Sequence, residues 1–70
     1  MIEISTTEGG VWRPIEVGDE EALRCLTPVT ENMARLEIPG RPPLFVHSVK
    51  LSDGRIWDVY FKGFRPVFDW

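Results

Sequence analysis

Seventy residues make a single small domain, residues 1–70, and a chain of that length buries only about 60% of the surface its unfolded form exposes, so its core is marginal. Apolar residues make up 43% and charged residues 27%, an ordinary globular balance, and three Trp, four Phe and one Tyr exclude a disordered chain. The formal net charge of -3 is uneven: residues 1–35 carry seven acidic side chains against three arginines, and residues 36–70 carry five basic against four acidic, which is not the basic stripe of a nucleic-acid surface.

Cys25 is the only cysteine and excludes an internal disulfide; with one histidine, His47, it cannot supply the four Cys or His ligands of a structural zinc site. Neither a metal nor a cofactor is expected. No apolar run approaches the roughly 20 residues that span a bilayer. Met1–Ser5 lacks the basic and then apolar pattern of a signal peptide, and a lone thiol suits a reducing compartment. The expectation is a cytoplasmic chain whose only outside source of stability is a partner or a second copy.

In chain order, Ile2 and Ile4 alternate with polar residues and predict a short strand over Met1–Ser5. Thr6 to Gly10 is a polar, glycine-ended turn. Val11–Val17 predicts an edge strand, or one broken at Pro14, with Val11, Ile15 and Val17 on one face and Trp12 on the other, because Pro14 has no N–H to give a central ladder. Asp19 as N-cap, with Glu20 and Glu21 at the positive end of the dipole, opens a helix over Asp19–Leu26 that Pro28 ends. For residues 27–38 two patterns compete. Thr27-Pro28 can start a second helix carrying Val29, Met33 and Leu36, whereas Ala34, Leu36 and Ile38 alternate with Arg35 and Glu37 as in a strand. The alternation favours a loop through Asn32 and a strand over Met33–Ile38. Pro39 to Pro43 is a loop.

Leu44–Phe61 predicts a hairpin turning at Ser52-Asp53-Gly54. A two-residue Asp-Gly turn would set Val49 opposite Asp58 and mix the faces. A three-residue turn sets Val49 opposite Trp57, His47 opposite Val59 and Phe45 opposite Phe61, with Gly54 as the left-handed bulge residue. Burial selects the matched register, since a one-residue slip flips every side chain. Phe45, Val49, Trp57, Val59 and Phe61 are then the core face, and Val46, Lys50, Ile56, Asp58 and Tyr60 the outer one. After Lys62-Gly63, the run to Trp70 predicts a last edge strand or a docked tail, with Pro66 barring a central position.

Few residues offer chemistry. Cys25 and His47 are the only nucleophile and base of that kind, and each falls where packing explains it. Asp19-Glu20-Glu21 point in different directions around a helix and do not converge on one ion. Glu8-Gly9-Gly10 and Asp53-Gly54-Arg55 lack phosphate-loop spacing. The interleaved aromatic and basic residues of the C-terminal half carry the functional expectation: Ile56, Trp57, Tyr60, Phe64, Arg65 and Trp70 as binding residues. Aromatics and Arg mark protein interfaces; they also stack on single-stranded bases, but phosphate attraction supplies most of that affinity and the chain is acidic.

The fold expected is α+β, a small antiparallel sheet of four to five short strands with one short helix, or alternatively an all-β small barrel. The function expected is a non-enzymatic protein-binding module, homodimeric or a subunit of a larger complex, with no small-molecule ligand. The alternatives are a small phage or mobile-element inhibitor acting by surface blockade and a weak single-stranded nucleic-acid binder.

Overall fold

The computed structural model describes residues 1–65. Five strands, β1 (Ile2–Ser5), β2 (Arg13–Ile15), β6 (Ser48–Lys50), β7 (Ile56–Asp58) and β8 (Gly63–Arg65), form one antiparallel sheet in the order β2-β1-β6-β7-β8. Three more, β3 (Leu26–Pro28), β4 (Ala34–Leu36) and β5 (Leu44–Val46), form a second in the order β3-β4-β5. The helix α1 (Asp19–Arg24) connects β2 to β3. The α+β class with one short helix is as expected. The strands, however, divide between two open sheets where a single sheet was expected.

The division occurs at His47. β5 and β6 are one extended run broken at that residue, so that Val46 pairs with Ala34 in the small sheet while Ser48 pairs with Ser5 and Asp58 in the large one. Paired residues share a face. Ile2, Ile4, Val49 and Trp57 therefore line one side of the large sheet, and Ala34, Leu36 and Val46 the inner side of the small one. These two faces, with Ala22 of α1 and Val17, Ile38, Leu51 and Val59, form one core. Ile2, Leu36, Val46 and Val49 are its largest fully buried side chains, each stabilising by about 1.5–3 kcal/mol through burial.

The turn register is as the sequence predicts. Val49 lies opposite Trp57, the Leu51 N–H donates to the Arg55 carbonyl at 2.8 Å, and Gly54 takes φ +92°. The hairpin is shorter than expected. Phe45 pairs with Arg35 across the small sheet and not with Phe61. Phe45 and Phe61 are accordingly exposed, at 50% and 64%, where a core position was predicted. The other face changes too: Val46 turns into the core, and Asp58, still on the face of Ile56 and Lys50, is buried where an exposed position was predicted.

The edge positions follow the prolines. β2 carries Pro14 at one margin of the large sheet and β8 forms the other; the predicted strand at residues 33–38 is β4. Val11 is exposed although the alternation placed it inward. Leu26 leaves the helix to open β3, a strand the sequence did not reveal because Pro28 lies in it. Edge pairing accommodates that proline, since only one side of β3 is laddered. The helix is capped by Gly18 and not by Asp19. The Asp19 carboxylate instead accepts the Ser52 N–H at 3.1 Å and lies 2.9 Å from the Ser52 hydroxyl, tying the helix start to the hairpin turn.

Two expectations follow for the turn. A Cβ at Gly54 meets no atom within 4 Å, so the cost of Gly54→Ala is purely that of the left-handed backbone. It should lower unfolding free energy by about 1–2 kcal/mol in urea titration; an unchanged midpoint refutes the register. Asp53 is held below the usual aspartate range, first by the Arg55 backbone N–H and, against some desolvation, by the Arg55 guanidinium. A carboxyl depressed by folding adds stability above its ordinary pKa and loses it as pH falls through the lowered one. Asp53→Asn should therefore differ from the parent at neutral pH, and the two Tm curves should converge in acid.

Candidate functional site

Register brings three turns together at one end of the molecule. Ser5, Ser48 and Asp58 are the aligned ends of β1, β6 and β7, and Pro28, Ala34 and Val46 those of β3, β4 and β5. The chain continues from these ends into the turns at residues 6–9, 29–33 and 59–62, all around His47. The His47 N–H donates to the Ser5 carbonyl at 2.6 Å, and the Val59 N–H donates to the His47 carbonyl at 3.2 Å.

Beneath the turns lies a buried polar row. His47, Ser48 and Asp58 are 4%, 2% and 2% exposed. His47 Nδ1 lies 2.8 Å from Ser48 Oγ, which lies 3.5 Å from Asp58 Oδ2. Arg65 Nε stands 3.2 Å from the same Oδ2, and Asp58 Oδ1 accepts the Tyr60 N–H at 2.9 Å. The row contains Ser, His and Asp, but in an order that does not generate a nucleophile. In a hydrolytic triad the acid orients the imidazole and the imidazole takes the serine proton. Here the serine stands between the other two and its oxygen is buried away from any substrate. Cys25 is absent from the row: it ends α1 and packs against the core.

Above the row two of the turns carry exposed apolar side chains. Val29, Tyr60 and Phe61 all face solvent, and the Tyr60 ring meets His47 edge-on at 6.1 Å between centroids. Lys62 closes its turn at φ +48°, a left-handed backbone that costs a residue with a Cβ about 1–2 kcal/mol. Strain of this kind concentrates where the backbone serves a site. Three adjoining hollows open between the turns. One of about 290 Å3 is lined by Thr6, Thr7, Glu8, Asn32, Met33 and His47; the others are lined by Pro28, Val29, Thr30, Glu31 and Lys62, and by Glu31, Val59, Tyr60 and Lys62.

The residues singled out from the sequence are dispersed by the fold. Tyr60 stands on the turn end. Ile56 and Arg65 lie on the outer face of the large sheet, in register with Lys50. Trp57 is in the core. Phe64, its neighbour on β8, is partly exposed beneath the Arg55 guanidinium, 4.7 Å from the ring centroid. Trp70 lies outside the described residues, as do Pro66, Val67, Phe68 and Asp69. The sequence reading missed Val29 and Phe61, since the bend that exposes Phe61 has no local signature. It also missed the Ser48–Asp58 contact, although the three-residue turn already sets those two residues opposite each other. Among the described residues no group of His, Cys, Asp and Glu is placed to hold a metal ion, and no helix is long and apolar enough to cross a membrane.

No protein-family model matches the chain, and no curated protein or solved structure is significantly similar to it.

The polar row is a structural element with a measurable cost. Ser48→Ala leaves buried His47 Nδ1 without its partner and Asp58 Oδ2 with Arg65 alone, and should destabilise by about 1–3 kcal/mol. Asp58→Ala should cost at least as much. It should also speed hydrogen exchange of the Tyr60 amide more than that of the Val49 amide, because only the former loses its acceptor. Equal protection at both positions would place the stabilisation elsewhere.

Proposed function

We propose that this chain is a non-enzymatic protein-binding module that engages its partner through the turn end around His47. The observation that carries the reading is the exposure of Tyr60 and Phe61, at 62% and 64%, beside exposed Val29 on one small end of the molecule. Large apolar side chains scattered singly over a surface are ordinary, whereas a cluster on adjoining turns points to an interaction surface. Aromatic side chains give much contact area for little lost side-chain freedom, which is why they dominate interface hot spots. The polar row supports the reading by fixing the height of the Tyr60 turn from below, so that the surface is held in shape before it meets a partner.

Self-association is the simplest form of such binding, and a separate protein the other. A nucleic-acid surface fits less well. Two cations that would serve it are already seated on rings of the same chain, Lys50 Nζ 4.8 Å from the Trp12 centroid and Arg55 over Phe64.

The test is a double substitution, Tyr60→Ala with Phe61→Ala. Both side chains are exposed, so unfolding free energy should change by only about 0.5 kcal/mol. Capture of protein partners from the native cell, or dimer mass in light scattering, should fall at least about tenfold, as for loss of a hot spot. Phe45→Ala, an exposed aromatic on the outer face of the small sheet, is the control and should leave binding intact. Equal loss from the control, or none from the pair, overturns the assignment of the surface.

A further inference from the structure

Two neighbouring turns each carry apolar side chains and one charge, and the two charges are of opposite sign. The 29–33 turn presents exposed Val29, next to exposed Pro28, and the carboxylate of Glu31. The 59–62 turn presents Tyr60, Phe61 and the ammonium of Lys62. Glu31 and Lys62 line both hollows that open between these turns, one completed by Pro28, Val29 and Thr30 and the other by Val59 and Tyr60. Both side chains are exposed. Neither joins any of the three ion pairs among the described residues, which use Arg35 with Glu37, Arg55 with Asp53 and Arg65 with Asp58. Glu8, on the third turn, lines neither hollow.

A surface of this kind is complementary to itself. In a two-fold contact the same patch of each copy meets the other, and every contact occurs twice. Like turn over like turn would set Glu31 against Glu31 and Lys62 against Lys62. Unlike turns over one another pair Glu31 of each copy with Lys62 of the other, and lay Tyr60 and Phe61 against Pro28 and Val29. A separate protein would have to supply the matching acid, base and apolar groups, whereas a second copy has them by symmetry. A 70-residue core without an internal disulfide is also of the size that gains stability from association.

We propose that the turn end binds a second copy of this chain about a two-fold axis, the 29–33 turn of one copy against the 59–62 turn of the other, with Glu31 and Lys62 as the pair that sets the register. This rests on the reading of the turn end as a protein-binding surface and names its partner. The apolar side chains supply the affinity. The charges supply the register, because an exposed ion pair adds little energy while like charges brought together are penalised.

The test is sedimentation equilibrium of the whole chain over about 10 μM to 1 mM, with Glu31→Lys and Lys62→Glu made singly, combined in one chain, and mixed. The parent should dimerise reversibly. Each single reversal should weaken the dimer about tenfold, since two unlike pairs become two like pairs. The combined reversal should restore it, and so should an equimolar mixture of the two single variants, one then carrying two bases and the other two acids. A Glu31–Lys62 contact within one chain would be restored by the combined reversal but not by mixing. Independently of any variant, diluting the 15N-labelled parent should shift the amides of Val29, Glu31, Tyr60 and Lys62 and leave those of Asp53 and Gly54 unmoved. A parent that is monomeric at the highest concentration, single variants that dimerise like the parent or stay monomeric when mixed, or dilution shifts centred on Asp53 and Gly54 overturn the proposal. Capture of another protein that depends on Tyr60 and Phe61, with a monomeric parent, removes the second copy as occupant and leaves the wider reading standing. A monomeric parent with no such capture removes both.

Discussion

At His47 one strand leaves a sheet and joins another, and both of its backbone polar groups are satisfied as it does so. The amide goes to Ser5 and the carbonyl takes the Val59 N–H. A bend in a buried strand would ordinarily strand such groups away from water, at a cost of the order of a lost hydrogen bond. Here the large sheet absorbs them, and the bend can be buried. The two sheets then face one another across a single core, which a flat sheet of the same strands could not enclose from both sides.

The bend also creates the candidate site. It brings the ends of six strands to one place and so gathers three turns that are far apart in the chain. It turns the imidazole inward to Ser48 and Asp58 beneath those turns. The large sheet contributes the rigid floor and the turns contribute the exposed aromatic surface. The strained Lys62 closes the turn that presents Tyr60 and Phe61.

A second tie holds the opposite end. Asp19 at the start of the helix reaches Ser52 in the hairpin turn, and the Met1 carbonyl lies 2.9 Å from the same hydroxyl. Three segments of the chain therefore meet at one small side chain. For a chain this short, whose single cysteine allows no internal disulfide, such local ties and the single core are the means by which open sheets keep one register.

Residue pattern alone determined the local elements. The alternation of Ile2 and Ile4, the edge position of the Pro14 strand, the acidic helix start and the three-residue turn at Ser52-Asp53-Gly54 were all legible, because each depends on neighbours within a few residues. The matched faces of Val49 and Trp57 followed from period two and from burial. Only the tertiary structure decided where the long strand bends, since nothing within the run from Leu44 to Lys50 distinguishes His47 from a continuing strand residue. That decision moved Phe45 and Phe61 from the core to the surface and Val46 from the surface to the core, and it buried Asp58 beneath the turns. It also chose the strand form of residues 34–36, because the alternation there acquires its ladder only from Leu44–Val46 and Leu26–Pro28, on either side of it. Long-range pairing decides these matters, and a one-dimensional pattern carries the face of each side chain but not the sheet it faces.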